Sequence, residues 1–123
     1  ETDIVKVKPF IKKMNHAYQA ADYIISRSGA SVISELCIVG KPVIFIPSPN
    51  VAEDHQTKNA MSIVNLNSAE IVMEKDLDTE FNRVFEKIYN NKEYSLKLSK
   101  SIKKIERPTA TEDIVNYIKK FLK

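Results

Sequence analysis

Two hydrophobic rhythms alternate through the first part of the chain. Asp3 to Lys8 has a strand-like pattern that Pro9 ends. Ile11 to Ala21 repeats with a helical period and carries Ile11, Met14 and Tyr18 on one face. Tyr23 to Ser26 predicts a short buried strand, and Ser31 to Val39 a helix. Val43 to Ile46 is apolar throughout between Pro42 and Pro47, as a strand covered on both faces is. Asp54 to Leu66 predicts a helix, and Ala69 to Met73 a strand. Short apolar strands separated by helices predict βα units in a parallel sheet, with right-handed crossovers, 43–46 central and helices on both faces.

Past residue 75 the pattern is helical alone. Leu77 to Tyr89 places Phe81, Val84, Phe85 and Ile88 at helical spacing, and Glu93 to Ile105 does the same with Leu98, Ile102 and Ile105. Pro108 breaks the run. Thr109 and Glu112 then form a capping box ahead of a last helix, Thr111 to Leu122, which is expected to leave apolar surface uncovered. Four strands are few for a sheet covered on both faces. The chain also starts without methionine at a strand-like segment. Both features lead to the expectation of a piece of a longer protein: a partial Rossmann-like sheet with a helical tail, residues 1–123 forming one partial domain.

Composition narrows the function classes. Of 123 residues, 43% are hydrophobic and 28% charged, as in ordinary globular domains. The longest apolar runs are far shorter than a bilayer span. Cys37 is the single cysteine, so a disulfide framework is excluded, and its apolar helical setting predicts a small buried hydrophobe. Residues 1–73 hold seven basic and seven acidic side chains, so the whole net charge of +3 falls in 74–123. That excess is too weak to imply nucleic acid. Lys97, Lys100 and Lys104 share a helical face that reads as solvated rather than as a membrane contact.

The chemistry concentrates in "ISRSGASVISELCIVGKP", Ile25 to Pro42. Ligands of open parallel sheets bind beyond the carboxyl ends of the strands. Two loops leave strand ends there, Arg27 to Ala30 and Pro47 to Glu53, each leading into a helix N-terminus that suits an anion. Gly29 permits close backbone approach, and Ser28 caps the helix or donates to a phosphate. Glu35 shares a helical face with Ser28 and Ser31. It is either a solvent-facing acid or the acceptor for two vicinal ribose hydroxyls. In the second turn, "EDHQTKNA", His55 and Gln56 suit sugar hydroxyls, while a capped, exposed helix start is the plainer reading. Ser28 after a strand also evokes a nucleophile elbow, but Ser26 stands where that motif needs glycine. No Cys/His/Asp spacing resembles a metal site, and no cofactor is indicated.

Ser28-Gly29, Glu35 and Gly40-Lys41-Pro42 together resemble the signature of nucleotide-sugar enzymes with two facing Rossmann-like domains, the GT-B fold. "AADYIISRSGASVISELCIVGKPVIFIPSP" followed by "AEDHQTKNA" resembles more specifically the MurG family of N-acetylglucosaminyltransferases, over nearly the whole chain. The resemblance implies UDP-N-acetylglucosamine as donor and an undecaprenyl-linked muramoyl-pentapeptide acceptor, at the cytoplasmic face of the bacterial inner membrane. It implies that Ile11 reads the uracil edge through its backbone and that Ala30, Ser31 and Val32 face the diphosphate. Glu35 would hold the ribose, and His55 and Gln56 the N-acetylglucosamine. Positive charge at the diphosphate would come from helix dipoles, with Arg27 a further candidate. The family's N-terminal acceptor domain and the glycine-rich loop that opens its C-terminal domain are not in this sequence, so the catalytic base would lie elsewhere. A UDP-sugar 2-epimerase of the same fold would share Ser28, Gly29 and Glu35 without "HQTKNA". A non-catalytic nucleotide-binding module is the third reading.

Overall fold

The computed structural model describes residues 14–49 and 54–105. The expected first strand, Ile11, the Thr109–Glu112 capping box and the last helix lie outside the described residues. Among the described ones the order is α1 (Met14–Ala20), β1 (Ile24–Ser26), α2 (Ala30–Val39), β2 (Val43–Phe45), α3 (Asp54–Val64) and β3 (Glu70–Ile71). A 3-10 turn (Glu74–Asp76), α4 (Leu77–Tyr89) and α5 (Lys92–Lys103) follow. The three strands form one parallel sheet in the order β1-β2-β3, so β2 is central as its unbroken apolar run predicts. Ile24 pairs with Val43, Ser26 with Phe45, and Phe45 with Ile71.

Alternation along β2 sorts the core into two layers. Val43 and Phe45 point to one face, where Ile24, Ile33, Leu36, Cys37, Ala60 and Ile63 bury against them. Ile44 points to the other and meets Val72, Val84, Ile88 and Leu98. Helices α2 and α3 thus cover one face and α4 the other. Helix α5 serves both, with Leu98 in the second layer and Ile102 in the first. Cys37 is 5% exposed, the buried small residue its position predicts. Lys97, Lys100 and Lys104 are all exposed.

Strands run shorter than the apolar pattern predicts, because the pattern registers burial and the ladder needs donors. Ile46 still donates to Ser26 O at 2.8 Å just beyond β2, while Pro47, next on the side that faces β3, has no N–H to extend the β2–β3 ladder. Val72 donates to Phe45 O at 2.9 Å and stays 3% exposed just beyond β3. Helix α3 ends at Val64, before the predicted Leu66, in a turn where Asn67 adopts φ 56°.

A polar tie holds the α4–α5 hairpin to β3. Glu70 Oε1 accepts from Lys87 Nζ at 2.9 Å and from the Tyr94 hydroxyl, and Lys87 lies 5.0 Å from the Tyr94 ring centroid. Burial, then the bond to Glu70, raises the Tyr94 pKa; the bond to Glu70 raises that of Lys87. Both groups hold their protons more tightly folded than unfolded. Their contribution is therefore complete below about pH 10 and lost as pH climbs through the raised values. Tyr94→Phe should reduce the alkaline loss of stability, read as the drop in urea midpoint on either side of about pH 10. An unchanged drop would place that loss elsewhere.

Helix α2 stops at Gly40, whose φ of 71° is left-handed and whose N–H bonds Leu36 O at 3.2 Å. A Cβ there would also lie 3.0 Å from Lys103 Cδ, a flexible neighbour that can yield. Gly40→Ala should therefore cost about 1–2 kcal/mol, chiefly from the left-handed backbone, measured by urea unfolding.

Candidate functional site

The two strand-end loops meet at the carboxyl edge of the sheet, and one side chain joins them. Gln56, in the first turn of α3, presents Oε1 to Ser28 N at 3.3 Å and to Ser48 N at 3.0 Å. Those amides belong to the loops after β1 and β2 respectively. The Ser28 hydroxyl donates to Gln56 O at 2.7 Å, and Asn59 Nδ2 donates to Ser28 O at 3.2 Å. A buried loop must satisfy its backbone groups, and here one turn of α3 satisfies both loops at once.

This network revises the expected role of Ser28. Its side chain is 0% exposed and tied to Gln56, so it neither caps α2 nor reaches outward to a phosphate in this conformation. The N-cap is Gly29, with no side-chain cap bond. A nucleophile elbow needs an exposed hydroxyl, which a buried donating serine does not offer. The first-turn amides of Ala30, Ser31 and Val32 have no partner within a helix, as at any helix start. Gly29 has φ −65° and ψ 153°, which any residue adopts, and a Cβ built on it meets nothing within 4 Å. Neither strain nor packing within the described residues requires glycine there; the space it opens lies directly before the free end of α2.

Glu35 is exposed on α2, five residues past Ala30 and so about 7.5 Å along the axis. Tyr18 on α1 donates its hydroxyl to Glu35 Oε2 at 3.2 Å. His55 is exposed in the first turn of α3, beside Gln56. Arg27, named above as a candidate for the diphosphate, is engaged elsewhere. Its Nη1 reaches Ile46 O and Pro47 O at 3.2 and 3.3 Å, and its Nη2 pairs with Glu74 Oε1 at 2.6 Å. The guanidinium braces the end of β2 against the 3-10 turn. Asn59 and Tyr18 are site-supporting residues that the sequence pattern did not single out. Asn59 lies three residues after Gln56 on the same helical face, a faint signal; Tyr18 had only a core-facing position. Among the described residues no group of three or more His, Cys, Asp or Glu is placed to hold a metal ion, and no helix is long and apolar enough to cross a membrane.

A parallel sheet with helices on both faces and two loops joined at its carboxyl edge defines the Rossmann-like α/β class. The chain belongs to the glycosyltransferase family 28 C-terminal domain family, whose model matches residues 1–114. A Flavobacterium psychrophilum protein named UDP-N-acetylglucosamine--N-acetylmuramyl-(pentapeptide) pyrophosphoryl-undecaprenol N-acetylglucosamine transferase is 58% identical over 118 residues, 96% of this chain and 32% of that protein. A Christiangramia forsetii protein of the same name is 47% identical over 118 residues, with the same shares covered. The crystal structure of Acinetobacter baumannii MurG superposes with a TM-score of 0.76 at 30% identity, over 94% of this chain and 33% of that one. The chain thus spans about a third of the length of these relatives.

Replacing Gln56 by leucine would leave two amides at the loop junction without their acceptor. Gln56→Leu should cost about 1–3 kcal/mol and abolish the slow hydrogen exchange of Ser28 and Ser48. Persistent protection of both amides in the variant would show that the junction is held by other contacts.

Proposed function

We propose that this chain is the donor-binding part of an N-acetylglucosaminyltransferase that uses UDP-N-acetylglucosamine. In the intact protein the sugar passes to an undecaprenyl-linked muramoyl-pentapeptide, forming the lipid-linked disaccharide of peptidoglycan synthesis. The acceptor hydroxyl oxygen attacks the anomeric carbon with inversion as the bond to the diphosphate breaks and UDP departs. The hydroxyl proton goes to a base outside this chain. That base, and the surface that meets the lipid, belong to an N-terminal domain, and the protein works peripherally at the cytoplasmic face of the inner membrane.

The observation that carries this reading is the open space before α2. Gly29 sits there without any conformational or packing need for glycine among the described residues. A diphosphate in that space meets the amides of Ala30, Ser31 and Val32, whose dipoles stabilise the negative charge that grows on the leaving UDP. Glu35, on the exposed flank of the same helix, accepts the ribose hydroxyls. His55 and Gln56 are assigned to the sugar by resemblance, as Ile11 is to the uracil. The names of the relatives supply the donor sugar and the acceptor.

The test compares the intact protein with its Gly29→Val variant, using calorimetry with UDP and transfer to the lipid acceptor. The substitution should keep the protein folded, at the cost of about 1 kcal/mol for a poorer N-cap, and weaken UDP binding about tenfold or more, through a side chain placed where phosphate sits. Transfer should fall with it, and the 123-residue chain alone should transfer nothing, since it lacks the acceptor-holding half. Undiminished UDP affinity in a folded Gly29→Val protein would move the diphosphate away from α2.

A further inference from the structure

A glutamate exposed on a helix has several rotamers open to it. Glu35 is exposed, yet one of its oxygens is held: Oε2 accepts from the Tyr18 hydroxyl at 3.2 Å. Tyr18 is itself anchored. Its side chain is half-buried and packs against the layer built by α2 and α3. The helix that carries it is tied again one residue on, where Lys41 Nζ reaches Gln19 O at 3.5 Å. Burial, then the charge of Glu35 and the bond to it, raises the Tyr18 pKa, so the phenol stays a donor through the neutral range. A carboxylate offers about four acceptor positions, and one donor on Oε2 leaves the rest for a ligand.

We propose that Tyr18 is a positioning residue, whose hydroxyl holds the Glu35 carboxylate in the orientation that accepts two vicinal ribose hydroxyls and so sets the preference for ribose over deoxyribose nucleotides. The inference rests on the assignment of Glu35 to the ribose made above. Its physical basis is preorganisation. An unheld glutamate must give up rotamer freedom when the nucleotide binds, whereas one already tied to an anchored phenol gives up less. A simple strut between α1 and α2 would act differently, because it would support every nucleotide alike. Tyr18→Phe separates the two roles, since it keeps the ring in its packing and removes only the hydroxyl.

The experiment measures UDP and 2′-deoxy-UDP binding by calorimetry, with thermal unfolding, in the intact protein and in its Tyr18→Phe, Glu35→Gln and doubly substituted forms. Glu35→Gln should weaken UDP about ten- to a hundredfold. Tyr18→Phe should weaken UDP about three- to tenfold and 2′-deoxy-UDP less, narrowing the preference between them. The unfolding midpoint should hold, and the double variant should bind no more weakly than Glu35→Gln alone. If Glu35→Gln weakens UDP while Tyr18→Phe does not, the positioning role is wrong and the ribose assignment stands. Equal losses for both nucleotides, or losses that add in the double variant, also overturn it and leave Tyr18 a strut. If Glu35→Gln itself leaves UDP affinity intact, the ribose assignment fails first and the role of Tyr18 fails with it.

Discussion

The carbonyl oxygen of one glutamine side chain organises the carboxyl edge of this sheet. Gln56 Oε1 takes amides from the loops after β1 and β2, so two segments distant in sequence share one acceptor. The helix that carries it contributes a second and third bond to the first loop, through Gln56 O and Asn59. These bonds fix the path of the chain through Ser28 and Gly29 into α2. The direction in which the first amides of α2 point, and hence the place of the proposed diphosphate, follows from that path. A site built from backbone dipoles needs such bracing, because dipoles stabilise charge only when they do not have to reorient.

The same economy governs the charged side chains. Arg27 lies beside the loop but spends its guanidinium on two carbonyls and Glu74. Lys87 spends its charge on Glu70 at the opposite end of the sheet. The proposed diphosphate position therefore relies on helix ends, and Glu35 lies about 7.5 Å further along the α2 axis from Ala30. That separation would reconcile the carboxylate with the proposed phosphate on one helix: at about 7.5 Å, along a solvated flank, water weakens their repulsion.

Packing holds the sheet steady beneath these loops. Val43 and Phe45 face one helical layer and Ile44 the other, and α5 closes both, with Leu98 and Ile102 on successive turns. Its far end also lies beside Gly40, where α2 stops. The helix that carries the proposed diphosphate amides at one end is thus fixed at the other by the C-terminal half of the described chain.

Short apolar runs and the 3.6-residue period were enough to find the elements of the described residues, because burial of one face or both is written directly into residue order. The unbroken run Val43 to Ile46 marked the central strand, and Phe81, Val84, Phe85 and Ile88 marked the apolar side of α4. Gly40 before Lys41-Pro42 marked the end of α2 for a local conformational reason. The hydrogen-bond partners were a different matter. Ser28 looked like a cap or a phosphate donor, and Arg27 like a ligand cation, because both chemistries fit their residue types. The tertiary structure turned the Ser28 hydroxyl into Gln56, 28 residues away, and drew Arg27 to Glu74, 47 residues away. It likewise set Tyr18 against Glu35 across 17 residues. Apolar burial is decided by the sum of a pattern and survives small errors of placement. A hydrogen bond needs one atom within about 3 Å of another, and only the folded chain decides which atoms meet.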